Sequence, residues 1–384
     1  MSHLLNAKIN RRQLLKQTVL TSSVAALSSV ALPSISRQAN TAKNVIFFYV
    51  PYGAPAGKWG PTQNSAGLVM NEVSAVYESV KEHCVFFTNM ETKGAQGRDL
   101  GGLQVDNDNI DDPTLIEVFS KEFGVYSTIN FLSLTSNRYT AFLDVLNVAQ
   151  ISDPWQARQW VMSHTTNPFD TILQENIQQV QTLIDLTEGK DQSELMRYQN
   201  ELNAQKNNIE LQSVSWDLPE KTGGESFNDL TDLQITNMVN TLKFGMTNIV
   251  HFSTGETENQ EVLDGSGEYH NILHRTEADY IQHRMAFDQK VANLIQLLKE
   301  TEDTNGESLL ESTLVVLYSN EGNAEAHDHI RSPYLLAGGG FLNGGQISNE
   351  SSNDRFIDTV IDLMGSSTPF STGLGPIAGI KAAL

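Results

Sequence analysis

Apolar residues along this 384-residue chain gather in short unbroken runs separated by polar, periodic stretches. The first clear run, Asn44-Val-Ile-Phe-Phe-Tyr-Val50, is closed by Pro51-Tyr52-Gly53. A run with no polar alternation reads as a strand covered on both faces, which is the habit of a parallel sheet. Similar runs recur at Cys84–Phe87, Ile129–Leu134, Ile249–Phe252, Leu314–Tyr318 and Tyr334–Ala337, and helical spacing appears at Asp232–Phe244, Glu277–Glu300 and Asp354–Met364. Strands alternating with helices predict an α/β fold, a mostly parallel sheet flanked by helices.

The middle of the chain leaves this rhythm. From Asp170 to Leu211 the sequence is rich in Gln, Glu, Asn and Leu, with Ile172, Ile177, Val180, Leu183 and Ile184 at helical spacing. It predicts a helical hairpin, turning near Gly189 and inserted about 170–211 into a single domain of residues 43–384. Segments 93–112 and 213–228 are dense in Gly, Asn and Asp and predict loops.

The N-terminus has a different character. Asn10-Arg11-Arg12-Gln13-Leu14-Leu15-Lys16 precedes a mildly apolar stretch from Thr18 to Ile35, and no acidic residue occurs before Glu72. A basic region, an apolar region and a small-residue exit make a targeting segment, and the paired arginines resemble the twin-arginine signal. Residues 1–42 are therefore expected to be a cleaved signal peptide, with the twin-arginine translocase as partner during export and the periplasm or exterior as destination. The hydroxyl content of the apolar stretch argues against a stable membrane span, which needs about 20 predominantly apolar residues.

Charge narrows the partners. The chain carries a formal net charge of −21, and removing the signal takes away Lys8, Arg11, Arg12, Lys16 and Arg37 but no acid. So acidic a surface is a poor match for nucleic acid or anionic lipid. Cys84 is the only cysteine, which excludes an intramolecular disulfide and agrees with folding in a reducing compartment before export.

Candidate chemistry concentrates between His251 and His329. His270 and His274 are four apart, so on a helix both rings share one face. His327-Asp328-His329 follows Ser319-Asn320-Glu321-Gly322, the segment directly after the run Leu314–Tyr318, and Glu256 and Glu258 follow Ile249–Phe252. In an open α/β sheet the loops beyond the carboxyl ends of the strands are where ligands bind. The metal candidates are His270, His274, Glu321, His327, Asp328 and His329. Imidazole nitrogen with carboxylate oxygen suits Zn²⁺ or Mn²⁺ better than Ca²⁺. The same residues also fit two other arrangements: histidines tied to loop carbonyls, or a metal-free anion pocket with Arg275 and Arg331. Asp106, Asp108, Asp111 and Asp112 resemble a calcium loop in composition but lack its turn glycine and closing glutamate.

The opening Val45-Ile-Phe-Phe-Tyr-Val-Pro-Tyr-Gly53 with Trp59 resembles that of the DUF1552 family of exported bacterial proteins. So do Thr254-Gly-Glu256, Tyr269-His-Asn-Ile-Leu-His274, Ser319-Asn-Glu-Gly322, His327-Asp-His329, Pro333-Tyr-Leu-Leu-Ala-Gly338 and Gly344-Gly345. That family is distantly similar to the alkaline phosphatase and sulfatase superfamily. The resemblance implies that superfamily's sheet and, if the chain is an enzyme, metal-dependent hydrolysis of phosphate or sulfate esters. This chain departs from the superfamily at several positions. No acidic ligand or nucleophile follows the first strand, Asn320-Glu321 stands where an Asp-His pair is usual, and His270 replaces an Asp. His327 or His329 matches the downstream histidine, and Gly97-Arg98-Asp99 has no histidine beside its glycine. The departures favour the alternative of a non-catalytic binding or assembly protein. The export expectation has a direct check: replacing Arg11 and Arg12 together by lysine should leave the uncleaved precursor in the cytoplasm on fractionation.

Overall fold

The computed structural model describes residues 42–65, 67–92, 103, 113–123, 129–136, 142–143, 148–164, 168–187, 192–193, 195–200, 202, 216–254, 261–263, 265–303, 306–323, 325–339, 342, 344–350, 352–370 and 373–380. The signal segment before Ala42, the aspartates of 106–112, Gly97–Asp99, Glu256 and Glu258 lie outside the described residues.

Among the described residues the strands are β1 (Asn44–Tyr49), β2 (Thr62–Asn64), β3 (Gly67–Val69), β4 (Cys84–Met90), β5 (Leu132–Thr135), β6 (Phe142–Leu143), β7 (Val148–Ala149), β8 (Ile249–Ser253), β9 (Thr313–Tyr318), β10 (Ser332–Gly338) and β11 (Gly345–Ile347). The helices are α1 (Leu115–Glu122), α2 (Pro154–Ser163), α3 (Pro168–Leu186), α4 (Phe227–Lys243), α5 (Tyr269–Leu273), α6 (Glu277–Glu300), α7 (Leu309–Ser312) and α8 (Asn353–Met364). Seven strands form one sheet in the order β11-β4-β10-β9-β1-β8-β5. The strand β1 lies inside the sheet, parallel to β8 on one side and β9 on the other. All neighbours pair in parallel except β10, which runs antiparallel to both β9 and β4.

The apolar runs follow from burial on both faces. Every residue of β1 is buried, and alternate residues enter different cores. Ile46 and Phe48 join Val250, Phe252, Val315 and Leu317 under α4 and α6. Val45, Phe47 and Tyr49 join Ile249, Val316 and Tyr318 under α1 and α8. A strand between two helical layers has no polar face to show, so its sequence does not alternate. The chain is thus an α/β protein with a mostly parallel sheet between helices.

Several boundaries moved. The run expected to begin at Ile129 enters the sheet only at Leu132, because the Ile129 amide donates instead to the Met246 carbonyl (2.9 Å). The loop expected through residue 228 ends two residues earlier. Ser226 and Asp229 form a reciprocal capping box, which starts α4 at Phe227. In the expected insertion, α3 packs Val180 and Ile184 against Leu202, and Gln199 donates to Gln181 Oε1 (2.8 Å) from a helical stretch at 195–200. No described helix is long and apolar enough to cross a membrane.

One buried histidine sits in the sheet. His251 on β8 is fully buried, its Nε2 2.9 Å from the Tyr318 hydroxyl and its Nδ1 3.4 Å from the Gln150 amide nitrogen. Burial alone pushes its pKa down to about 3. Between that value and the ordinary one near 6.5 the unfolded chain takes up a proton that the folded chain refuses. The contribution is therefore complete above about pH 6.5 and is lost as the pH falls towards 3. Urea unfolding at pH 7 and pH 5 should show the wild type losing about 2 kcal/mol more than His251→Gln over that interval. Equal losses in the two proteins would contradict the assignment.

Candidate functional site

The carboxyl ends of β1 and β9 lie side by side, and the turns leaving them are locked together. The Tyr52 amide donates to Asn320 Oδ1 (2.9 Å) and the Gly53 amide to Ser319 Oγ (2.9 Å). The Ala54 amide then donates to the Gly322 carbonyl (2.9 Å). Tyr52 and Gly53 both sit in the left-handed region, at φ 61° and 56°. For a residue with a side chain, such as Tyr52, this costs roughly 1–2 kcal/mol. His327 and Arg331, at φ 49° and 59°, are the other non-glycine residues with positive φ among those described, and both stand in the segment leaving β9. Backbone strain thus gathers at one edge of the sheet.

Three imidazoles meet there. The short helix α5 carries His270, and His274 follows as its C-cap, so the four-residue spacing puts both rings on one side, their centres 5.3 Å apart. His327 reaches them from the β9 segment, 6.1 Å from His270 and 5.5 Å from His274. Tyr52 stands with its ring edge-on to His270 at 5.1 Å. Glu321 is 3% exposed. Its Oε1 lies 3.5 Å from His327 Nδ1, and its Oε2 is buried with no hydrogen-bond partner. The Nδ1 of His270 is likewise buried without a partner. A buried carboxylate oxygen left unpaired is costly, so this cluster is poised for a cation or a donor.

The sequence candidates separate. His270, His274, His327 and Glu321 come together. Asp328 has a structural task instead: its Oδ1 accepts from the Asn323 amide (3.0 Å) and its carbonyl from the Gly322 amide (2.9 Å), which closes the loop on itself. His329 uses its carbonyl to accept from the Thr92 amide (2.9 Å) and Ser332 Oγ (3.3 Å), and among the described ring contacts it makes none with the other three. Arg275 donates to the Ser266 carbonyl (2.9 Å). The hydroxyls at these strand ends are engaged as well. Ser319 accepts from Gly53, Thr254 donates to the Tyr49 carbonyl (3.2 Å), and Thr92 donates to the Asn320 carbonyl (3.2 Å).

The donor chemistry suits a borderline divalent ion. Imidazoles sharing one tetrahedral ion stand about 5 Å apart between ring centres, given metal–nitrogen distances of about 2.0–2.1 Å. The ring spacing fits that demand. The donor atoms as oriented do not: among the described residues no three His, Cys, Asp or Glu side chains present their atoms to a common ion. Uptake of a metal would require the rings to turn in place.

The residues bracing this edge were not found from the sequence. Arg284 and Asp288, both fully buried on α6, pair at 2.8 Å, and Arg284 Nη1 donates to the Gly53 carbonyl (2.6 Å). Tyr280 donates to the Tyr52 carbonyl. Burial pushes the Tyr77 hydroxyl well above its ordinary range, so it stays protonated and donates to Asp288 Oδ1 (2.8 Å). A signal existed. Tyr280, Arg284, Phe287 and Val291 fall on one helical stripe, so a charged residue stood on an apolar face.

No protein-family model matches the chain, and no curated protein matches it in sequence. Solved structures similar to it include the lipoteichoic acid synthase LtaP from Listeria monocytogenes, at 10% identity over 88% of this chain and 75% of that one with a TM-score of 0.43. A protein in the alkaline phosphatase superfamily from Vibrio parahaemolyticus gives 11% identity, 85% and 67% coverage and a TM-score of 0.44. The phosphonate monoester hydrolase of Agrobacterium radiobacter gives 11%, 88% and 79%, and 0.41. Likenesses so distant add nothing to the chemistry of the site, which stands on its own residues.

The contact between the two turns is testable. A Cβ at Gly53 would lie 2.1 Å from the Gly322 carbonyl oxygen, so Gly53→Ala must displace the β9 loop. Chemical denaturation should show a loss of about 3 kcal/mol. Wild-type stability in the variant would contradict the close packing.

Proposed function

We propose that this chain is an exported metal-dependent hydrolase whose centre is formed by His270, His274 and His327 with Glu321. The observation that carries the reading is the convergence of three imidazoles, from two separate segments, beside a buried carboxylate with an unpaired oxygen. Zn²⁺ or Mn²⁺ is the ion such nitrogen and oxygen donors prefer. When bound, a divalent ion there would polarise an ester oxygen and supply a hydroxide-like nucleophile from water at neutral pH. The three imidazoles would hold it, and Glu321, placed against His327 Nδ1, would fix the orientation of that ring. Tyr52 packs against the ring of His270. Asp328 and His329 shape the loop that carries His327.

Phosphate or sulfate esters are the proposed substrates, on the strength of the sequence resemblance rather than the site. The resident cation would offset the repulsion that the exported chain, at −26 once the five basic residues of the signal are gone, exerts on such anions. Export by the twin-arginine translocase to the periplasm or exterior belongs to the same reading, since that route moves proteins already folded.

A second reading, a binding or assembly protein without catalysis, is favoured by one observation. Ser319, Thr254 and Thr92, three hydroxyls at these strand ends, are buried and hydrogen-bonded to backbone groups, so none of the three stands free to attack. Elemental analysis of natively exported protein should find close to one zinc or manganese per chain, lost in a His270→Ala, His327→Ala double variant. Metal-free native protein would refute the metal-dependent reading. Metal without turnover across phosphate and sulfate esters would leave the binding reading standing.

A further inference from the structure

We infer that Arg284 and Tyr280 of α6 are positioning residues for the imidazole cluster, acting through the backbone of Tyr52 and Gly53. The inference rests on the reading of that cluster as the functional centre.

Arg284 and Asp288 are both 0% exposed. Removing an ion pair from water costs more than the pairing usually returns, so such a pair is seldom kept for stability alone. Nε and Nη2 of Arg284 donate to the two Asp288 oxygens (2.8 and 3.3 Å), which leaves Nη1 to capture the Gly53 carbonyl. The guanidinium also lies 5.4 Å from the centre of the Trp59 ring, which holds its plane. Four residues earlier on the same helix face, the Tyr280 hydroxyl donates to the Tyr52 carbonyl.

Both carbonyls of the turn are therefore captured from α6, and both of its amides are captured from the β9 side by Asn320 and Ser319. Four bonds fix two consecutive residues in the left-handed region, one of them a tyrosine that would not settle there unaided. That conformation sets the Tyr52 ring steeply inclined to that of His270, 5.1 Å away. The chain of contacts runs from Arg284 and Tyr280, through the strained turn, to one imidazole of the three. Its output is the placement of His270.

The test separates placement from folding. Replacing the ionic group as a unit, Arg284→Met with Asp288→Leu and Tyr77→Phe, removes both charges and leaves no buried partner unpaired on α6. Tyr280→Phe removes the hydroxyl that donates to the Tyr52 carbonyl at nearly constant shape. The triple variant is expected to stay folded, its midpoint lowered by no more than the lost donor to the Gly53 carbonyl costs, yet bind Zn²⁺ at least tenfold more weakly by calorimetric titration. Tyr280→Phe is expected to weaken binding at least threefold. In both, the ring-proton resonances of His270 should move in the metal-free protein, a change that stability alone would not produce. Folded variants with wild-type Zn²⁺ affinity and unmoved His270 resonances would overturn the inference. Should the triple variant fail to fold, Tyr280→Phe decides. Should the wild type take up no zinc, the metal reading falls and the His270 resonances alone judge the positioning.

Discussion

Gly53 and Gly322 meet backbone to backbone where β1 and β9 end. A Cβ at position 53 would stand 2.1 Å from the Gly322 carbonyl oxygen, and one at 322 would stand 1.7 Å from that of Ile330. With no room for a side chain at 53, the two turns press together and share their hydrogen bonds, while the tight fit at 322 folds the β9 loop back on itself. The Ala54 amide reaches Gly322, and the Tyr52 and Gly53 amides reach Asn320 and Ser319. This contact brings the segment that carries His327 beside the turn that carries Tyr52, and Tyr52 in turn abuts His270. Without it the histidines would belong to two unrelated loops.

The sheet supplies the rigid base for that contact. The register aligns Tyr49 of β1 with Tyr318 of β9 and with Ser253 of β8, so three strands finish at the same level. Loops leaving one edge together form a natural site, because each needs only a few residues to reach its neighbours. Helix α6 completes the arrangement from one face. It packs Phe287, Val291 and Ile295 into the core, and its buried polar side chains grip the β1 turn. Stability and placement thus come from the same helix but from different residues of it.

Much of this could be read from the chain alone, and the exceptions have physical causes. Unbroken apolar runs located β1, β4, β8, β9 and β10, because strands covered on both faces need no polar side. Direction was not legible. Tyr334–Ala337 is as apolar in an antiparallel strand as in a parallel one, so the reversal of β10 left no mark in composition. The three residues of β11 were too few to show a period. At the site, the spacing of His270 and His274 and the position of His327 after a strand marked three residues that do converge. Asp328 and His329 stood equally close in sequence, yet Asp328 turns to the loop backbone, while the His329 ring, its Nδ1 buried without a hydrogen-bond partner, makes no described ring contact with the other three. Arg284 escaped notice because one charged residue in a long amphipathic helix is ordinarily solvated.

The account turns on whether His270, His274 and His327 surround one point. Crystals of the exported protein grown with Zn²⁺, with diffraction recorded on either side of the zinc absorption edge, test this directly. The account predicts one anomalous peak within about 2.0–2.2 Å of a nitrogen from each of the three rings, with Glu321 as ligand or as hydrogen-bond partner of His327. An absence of anomalous density at this edge of the sheet, with the rings of His270 and His327 turned apart, would contradict it.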